Sequence, residues 1–249
     1  MNKSSKWVQR NLDQCMVHMP SLSPGNTILV IDTTYFGREF GIMIFRCAIR
    51  KQNLFWKFVS WETTQEYVGG ISYLKQCGWN ILGLVCDGRR GVLTAFPSIP
   101  TQMCQFHQIQ IVTRYITRHP KLEAGKELRS ITLLLSKTDK ESFIYWLNKW
   151  HKKWQHFLNE KIWNSEKCKF NYVHRRLRSA YRSLKNNLPY LFTFYDNPHL
   201  YIPNTTNTLD GFFSSFKEKV NIHRGLSIER KKKLIIELLS SNHPHKIVH

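Results

Sequence analysis

The chain has 249 residues, 42% of them apolar and 13% aromatic, so it will collapse around a core, which excludes a disordered chain. Lysine and arginine number 37 against 17 acids, a formal charge of +20 that repels itself in a compact state and points to a polyanionic partner, most often nucleic acid. No apolar run reaches the roughly 18 residues a membrane span needs, and the opening stretch, with Lys3, Lys6, Arg10, Asp13 and His18, holds no apolar signal-peptide core, so a soluble cytoplasmic protein with no membrane partner is expected.

Residues 1–24 are mixed and polar and end in a turn, Ser21-Leu-Ser-Pro-Gly25. Thr27-Ile-Leu-Val-Ile-Asp32 follows, a short apolar run whose length and branched residues predict a buried strand. Phe40 to Ile49 and Leu54 to Trp61 read as two more strands, and the short turns suggest an antiparallel meander. Thr63 and Thr64 can cap a helix over 65–77 with Tyr67, Ile71 and Leu74 on one face, stopped by Gly78. Ile81 to Asp87 is a fourth strand, and the helix between strands makes it a crossover, parallel to a meander strand. A short helix over Arg90 to Phe96 and a fifth strand over Thr101 to Phe106 are expected next.

From about residue 107 to 195 the pattern is helical and rich in Lys, Arg and Trp. Trp146, Trp150 and Trp154 recur at helical spacing and read as core of this block, with stacking on an unpaired base as the functional reading. His151 and His156 read as surface residues. Arg175, Arg176, Arg178, Arg182 and Lys185 alternate with Leu177, Tyr181, Leu184 and Leu188, an amphipathic basic helix. The chain breaks near Asn204-Thr-Thr-Asn207 and resumes as a helix with a stripe of Leu209, Phe212, Phe213, Phe216 and Val220. The six cysteines (Cys15, Cys47, Cys77, Cys86, Cys104, Cys168) contain no CxxC pair and read as buried thiols.

Asp32 and Asp87 each finish an apolar strand in this reading. If the two strands are parallel neighbours, both carboxylates emerge at one edge of the sheet, where ligand chemistry gathers. Asn207-Thr-Leu-Asp210 has the spacing of a helix start, with Asn207 as cap. An acid there stabilises the helix end, and it also sits on a rigid scaffold. Three carboxylates at one edge would hold two Mg²⁺ (or Mn²⁺) ions, the arrangement that promotes in-line displacement at phosphorus.

Asp32, Asp87, the Cys104-Gln-Phe-His107 motif, a long helical stretch, and Asn204-Thr-Thr-Asn-Thr-Leu-Asp210 on a late helix together resemble the DDE transposases of bacterial insertion sequences, on the Mutator-like branch. The resemblance runs from about residue 27 to 235. It implies an α/β fold, a ribonuclease H-like mixed sheet with a helical insertion before the last catalytic helix. The corresponding domains are an N-terminal segment at 1–26, the first part of the core at 27–107, the insertion at 108–200, and the closing helix and tail at 201–249. It also implies Asp32, Asp87 and Asp210 as the catalytic, metal-binding triad, served by two Mg²⁺ or Mn²⁺ ions. The family's third acid is typically Glu; here it is Asp210, and Glu218, two turns on, is the alternative ligand.

The implied partner is double-stranded DNA, both element ends and target, held by a homodimer or larger assembly in a nucleoid-associated cytoplasmic location. Arg89 and Arg90, immediately after Asp87, sit where a phosphodiester would lie, and Arg175, Arg176, Arg178, Arg182 and Lys185 could clamp phosphates. Cys104 and His107 fall short of the four ligands zinc takes. By the resemblance His107 supports the site's shape or the scissile DNA. Family members usually carry a site-specific DNA-binding domain in front. Only about 26 residues precede the first strand here, which leaves open a truncated copy, a catalytic fragment or borrowed end recognition. A non-catalytic DNA-binding relative and a nuclease of other specificity on the same fold are the alternatives.

Overall fold

The computed structural model describes residues 4–14, 22–223 and 225–240; Lys3, Cys15, His18, Ser21 and the tail beyond Ser240 lie outside them. Its elements in chain order are α1 (Ser5–Gln14), β1 (Asn26–Phe36), β2 (Phe40–Cys47), β3 (Gln52–Val59), α2 (Thr64–Gln76), β4 (Asn80–Cys86), α3 (Arg90–Ala95), β5 (Thr101–Met103), α4 (Gln105–Ile116), α5 (Glu123–Leu134), α6 (Lys140–Asn159), β6 (Lys161–Asn164), β7 (Lys169–Tyr172), α7 (Arg175–Leu191), α8 (Thr193–Asp196), α9 (Asn207–Asn221) and α10 (Ile228–Ser240). The fold is α/β, with a five-stranded mixed sheet in the order β3-β2-β1-β4-β5. No described helix is long and apolar enough to cross a membrane. The residues pack as two compact units, one from Met1–Leu84 with Thr206–His249 and the other from Val85–Thr205.

In the first unit β1, β2 and β3 form the expected antiparallel meander, with Asp32 opposite Ile44 and Ile44 opposite Trp56. Thr27 to Ile31 are all buried, as a strand covered on both faces requires. One expectation fails here. Asp32 does not finish its strand: β1 continues through Thr33, Thr34 and Tyr35 to Phe36, residues that suit a pleated strand and pair with β2. Asn80, at the start of β4, donates its backbone N–H to Gly25 O at 3.1 Å and its side-chain amide to Asn26 Oδ1 at 2.9 Å. The two strands therefore start side by side and run the same way, as the crossover predicted.

Helix α2 is capped by Thr63, whose Oγ1 accepts the Glu66 N–H at 3.2 Å, and it buries Tyr67, Gly70, Ile71 and Leu74. Gly78 follows it at φ +89°, a left-handed turn that favours glycine. Helix α9 buries Leu209, Phe213, Phe216 and Val220, and the Phe216 ring meets Phe36 of β1 edge-on at 5.8 Å. Helices α1 and α10 were not expected. They are tied together by Arg230, which donates to both carboxylate oxygens of Asp13 at 3.0 and 2.8 Å. The cationic run Arg230 to Lys233 interrupts the apolar spacing that would otherwise mark α10, which buries only Ile235 and Leu239.

In the second unit β5 is shorter than expected and ends at Met103, because Cys104 opens α4. The Cys104 N–H reaches Cys86 O at 2.8 Å, and buried Gln102 and Gln105 both donate to Leu191 O, at 3.0 and 2.9 Å. The Cys104 to His107 motif thus lies on the first turn of a helix and not at the end of a strand. The helical block also contains an exposed hairpin, β6–β7, that the sequence reading did not anticipate.

Of the tryptophan stripe only Trp150 joins the core, 2% exposed, with its Nε1–H on Ala124 O at 2.9 Å. Trp154 donates to Glu127 at 2.8 Å, and Trp146 is 44% exposed. Helix α7 is amphipathic as predicted, burying Leu177, Ala180, Tyr181, Leu184 and Leu191. Among the described cysteines, Cys47, Cys86 and Cys104 are buried as expected, whereas Cys77 and Cys168 are exposed.

Candidate functional site

In the first unit, Asp32 and Asp210 converge. Each offers a carboxylate oxygen, and these lie within 4.8 Å of one another. Asp32 is buried in mid-strand, 8% exposed, and its Oδ1 accepts the Thr33 N–H at 2.8 Å. Asp210 is half-buried on the first turn of α9. The helix cap differs from the expected one: Thr206 occupies it, Asn207 is the first helical residue, and no capping box forms. The Thr206 hydroxyl instead donates to Asp210 Oδ2 at 3.2 Å.

Two oxygens bound to one Mg²⁺, each about 2.1 Å from it, are at most about 4 Å apart. A pair within 4.8 Å fits a shared divalent cation with a small side-chain adjustment. A strand and a helix hold both carboxylates, so the repulsion between them is fixed by the fold and not relaxed by a mobile loop. Glu218 is exposed on the same helix, so Asp210 is the acid that the fold brings to Asp32.

For a cation shared by Asp32 and Asp210, Thr206 would act as a positioning residue. Thr206→Val keeps the shape and removes the hydroxyl. The expected result is a divalent-cation affinity about tenfold weaker, the usual scale for losing a partner behind a ligand, with the melting temperature in EDTA nearly unchanged. Calorimetric titration with Mn²⁺ measures it; an unchanged affinity would assign the hydroxyl to helix capping alone.

In the second unit, Asp87 stands one residue past β4, half-buried, its Oδ1 accepting the Arg89 N–H at 3.1 Å. Gly88 sets this turn at φ +98°, and a Cβ there would lie 2.3 Å from the Met103 Cε. Asp87 and His107 line one cavity of about 580 Å³, together with Arg114, Arg118 and Arg129. These three arginines come from α4, the segment after it, and α5. The sequence reading missed them because nothing in their spacing shows that two helices and a linker face one hollow.

Arg89 and Arg90, the expected phosphate contacts, cap and begin α3 and do not line this cavity. Arg175, Arg176, Arg182 and Lys185 are exposed on α7, while Arg178 is half-buried. Two of these arginines are engaged structurally. Arg176 donates to Arg114 O at 2.7 Å, and Arg178 donates to Leu158 O and Asn159 Oδ1 at 2.7 and 2.8 Å while stacking 3.6 Å from the Tyr172 ring centroid. Comparison with known proteins matched no family model, no curated sequence and no solved structure.

Proposed function

We propose that this chain is the catalytic core of a transposase of the DDE type, cutting and joining DNA with Asp32, Asp87 and Asp210 as its metal-binding carboxylates. The observation that carries the reading is the approach of Asp32 and Asp210, remote in sequence, to within 4.8 Å. Two carboxylates this close repel each other, and a divalent cation shared between them would turn that repulsion into attraction. The ribonuclease H-like assignment belongs to the same proposal. It is supported by an antiparallel meander followed by a strand running along β1.

Bound by these carboxylates, Mg²⁺ or Mn²⁺ would supply Lewis acidity and an activated oxygen nucleophile. Arg114, Arg118 and Arg129 beside Asp87 would hold the phosphodiester, and the charge of +20 would draw in the duplex. Water attacks phosphorus and the bond to the 3′-oxygen breaks, leaving a 3′-hydroxyl and a 5′-phosphate. That hydroxyl then attacks a target phosphodiester in the same geometry, forming a new phosphorus–oxygen bond as the bond to the target strand's own 3′-oxygen breaks and that oxygen leaves as a 3′-hydroxyl. No covalent protein–DNA intermediate forms, so the chain needs no serine or tyrosine nucleophile. A homodimer or larger assembly would hold two DNA ends together.

The test incubates the chain with labelled duplex, branched and RNA–DNA hybrid substrates in Mg²⁺, Mn²⁺ or EDTA. Nicked and joined duplex products that require a divalent cation are expected. Salt-sensitive duplex binding with no cleavage in either metal would reduce the protein to a DNA-binding relative. Cleavage confined to hybrid or branched substrates would make it a nuclease of other specificity.

A further inference from the structure

A second cavity of about 510 Å³ opens between α6 and α7. Arg178, Arg182 and Lys185 of α7 line it, with His151 and Asn159 from α6, and no carboxylate is among its lining residues. Arg182 and Lys185 make no ion pair among the described residues, so two cations face a concave surface without compensation. The floor is rigid. His151 stacks flat on Tyr181, 4.4 Å between ring centroids and 5° between planes, and Arg178 is pinned to Leu158 O. Although the sequence reading left His151 on the surface, it is half-buried here. Burial, then the charges of Lys185 and Arg178, hold its imidazole below the ordinary histidine pKa. A bound anion would offset the part of this that comes from Lys185 and Arg178.

We infer that this pocket is a phosphate site that grips the nucleic-acid backbone through Arg182, Lys185 and His151. It is separate in lining residues from the cavity of Asp87 and His107. The inference rests on nucleic acid being the substrate, and it assigns a contact that positions the duplex without reading its sequence. Arg182 and Lys185, on successive turns of one helix face, present donors to one or two adjacent phosphates.

The test uses a fluorescent duplex oligonucleotide in EDTA, where nothing can be cut. Arg182→Gln with Lys185→Gln should weaken binding about tenfold at moderate salt and lower the slope of log affinity against log salt by about 0.9 for each phosphate that is no longer neutralised. Independently, the His151 imidazole, followed by NMR in the full chain, should titrate at higher pH when duplex is bound, and this rise should vanish in the double variant. Unchanged affinity and slope in the double variant, or a His151 titration that the duplex leaves in place, would overturn the inference while the cleavage reading stands. A pocket-dependent binding signal with no metal-dependent cleavage would do the reverse.

Discussion

An Asp210→Asn chain should cleave DNA about a thousandfold more slowly than the wild type, while Glu218→Gln stays within about twofold. The magnitude follows from the role assigned. A catalytic metal contributes several kcal/mol to charge stabilisation, and each 1.4 kcal/mol is about tenfold in rate. Asparagine keeps the size of the side chain and an oxygen that can accept the Thr206 hydroxyl, so the helix start survives and only the charge is lost. A second readout separates metal loss from misfolding. Saturating Mn²⁺ should raise the melting temperature of the wild type by mass action and leave that of Asp210→Asn where it was. In EDTA the variant should stay within about 1 kcal/mol of the wild type, because relief of the repulsion on Asp32 is offset by loss of an acid from the helix start. Full activity in Asp210→Asn together with loss in Glu218→Gln would move the third ligand to Glu218 and remove the geometric basis of the site.

Gly70→Ala should be the most damaging small substitution in the first unit, at about 1–2 kcal/mol net. Two effects oppose each other. Alanine is favoured over glycine inside a helix by about 1 kcal/mol, so an open position would gain stability. At Gly70 the added Cβ would lie 2.1 Å from Phe45 Cζ and 2.7 Å from two further ring carbons. Phe45 is fully buried in β2, with neighbours that prevent its ring from retreating, among them Tyr67 at 6.4 Å and Phe55 at 5.4 Å between ring centroids. Overpacking of this kind costs about 1–3 kcal/mol and occasionally more, so the clash wins. Thermal unfolding should show a fall of several degrees. Combining Gly70→Ala with Phe45→Leu should recover part of it, a coupling that independent sites do not show. A neutral or stabilising Gly70→Ala would mean that α2 does not pack on β2 as described.

The sequence revealed the elements whose burial is simple. Continuous apolar runs marked β1, β2 and β4, and the spacing of Tyr67, Ile71 and Leu74 marked α2. It misjudged places where one residue type serves two structures. Asp32 looked like a terminator because aspartate usually starts a turn, yet a strand can carry a buried carboxylate through when its oxygen accepts the next backbone N–H, as here from Thr33. Asn207 looked like the cap, whereas Thr206 takes that position and its hydroxyl donates to Asp210 in place of accepting a backbone N–H. The tryptophans fell one in and one out because four-residue spacing drifts around a helix of 3.6 residues per turn, taking Trp146 off the face that buries Trp150. Arg114, Arg118 and Arg129 became candidates only through the packing of α4 and α5, which spacing alone does not reveal.

The unit holding both Asp32 and Asp210 is assembled from the two flanks of the stretch Val85–Thr205. A ribosome must therefore make that whole stretch before the second carboxylate exists to meet the first. At about 5–20 residues per second this is a delay of roughly 6 to 24 seconds. During that interval β1 is present without α9, and the Phe36 surface that Phe216 will cover is exposed to other contacts. Translation halted anywhere inside the stretch yields a chain carrying one of the paired aspartates and not the other, so partial products of the gene lack the paired carboxylates.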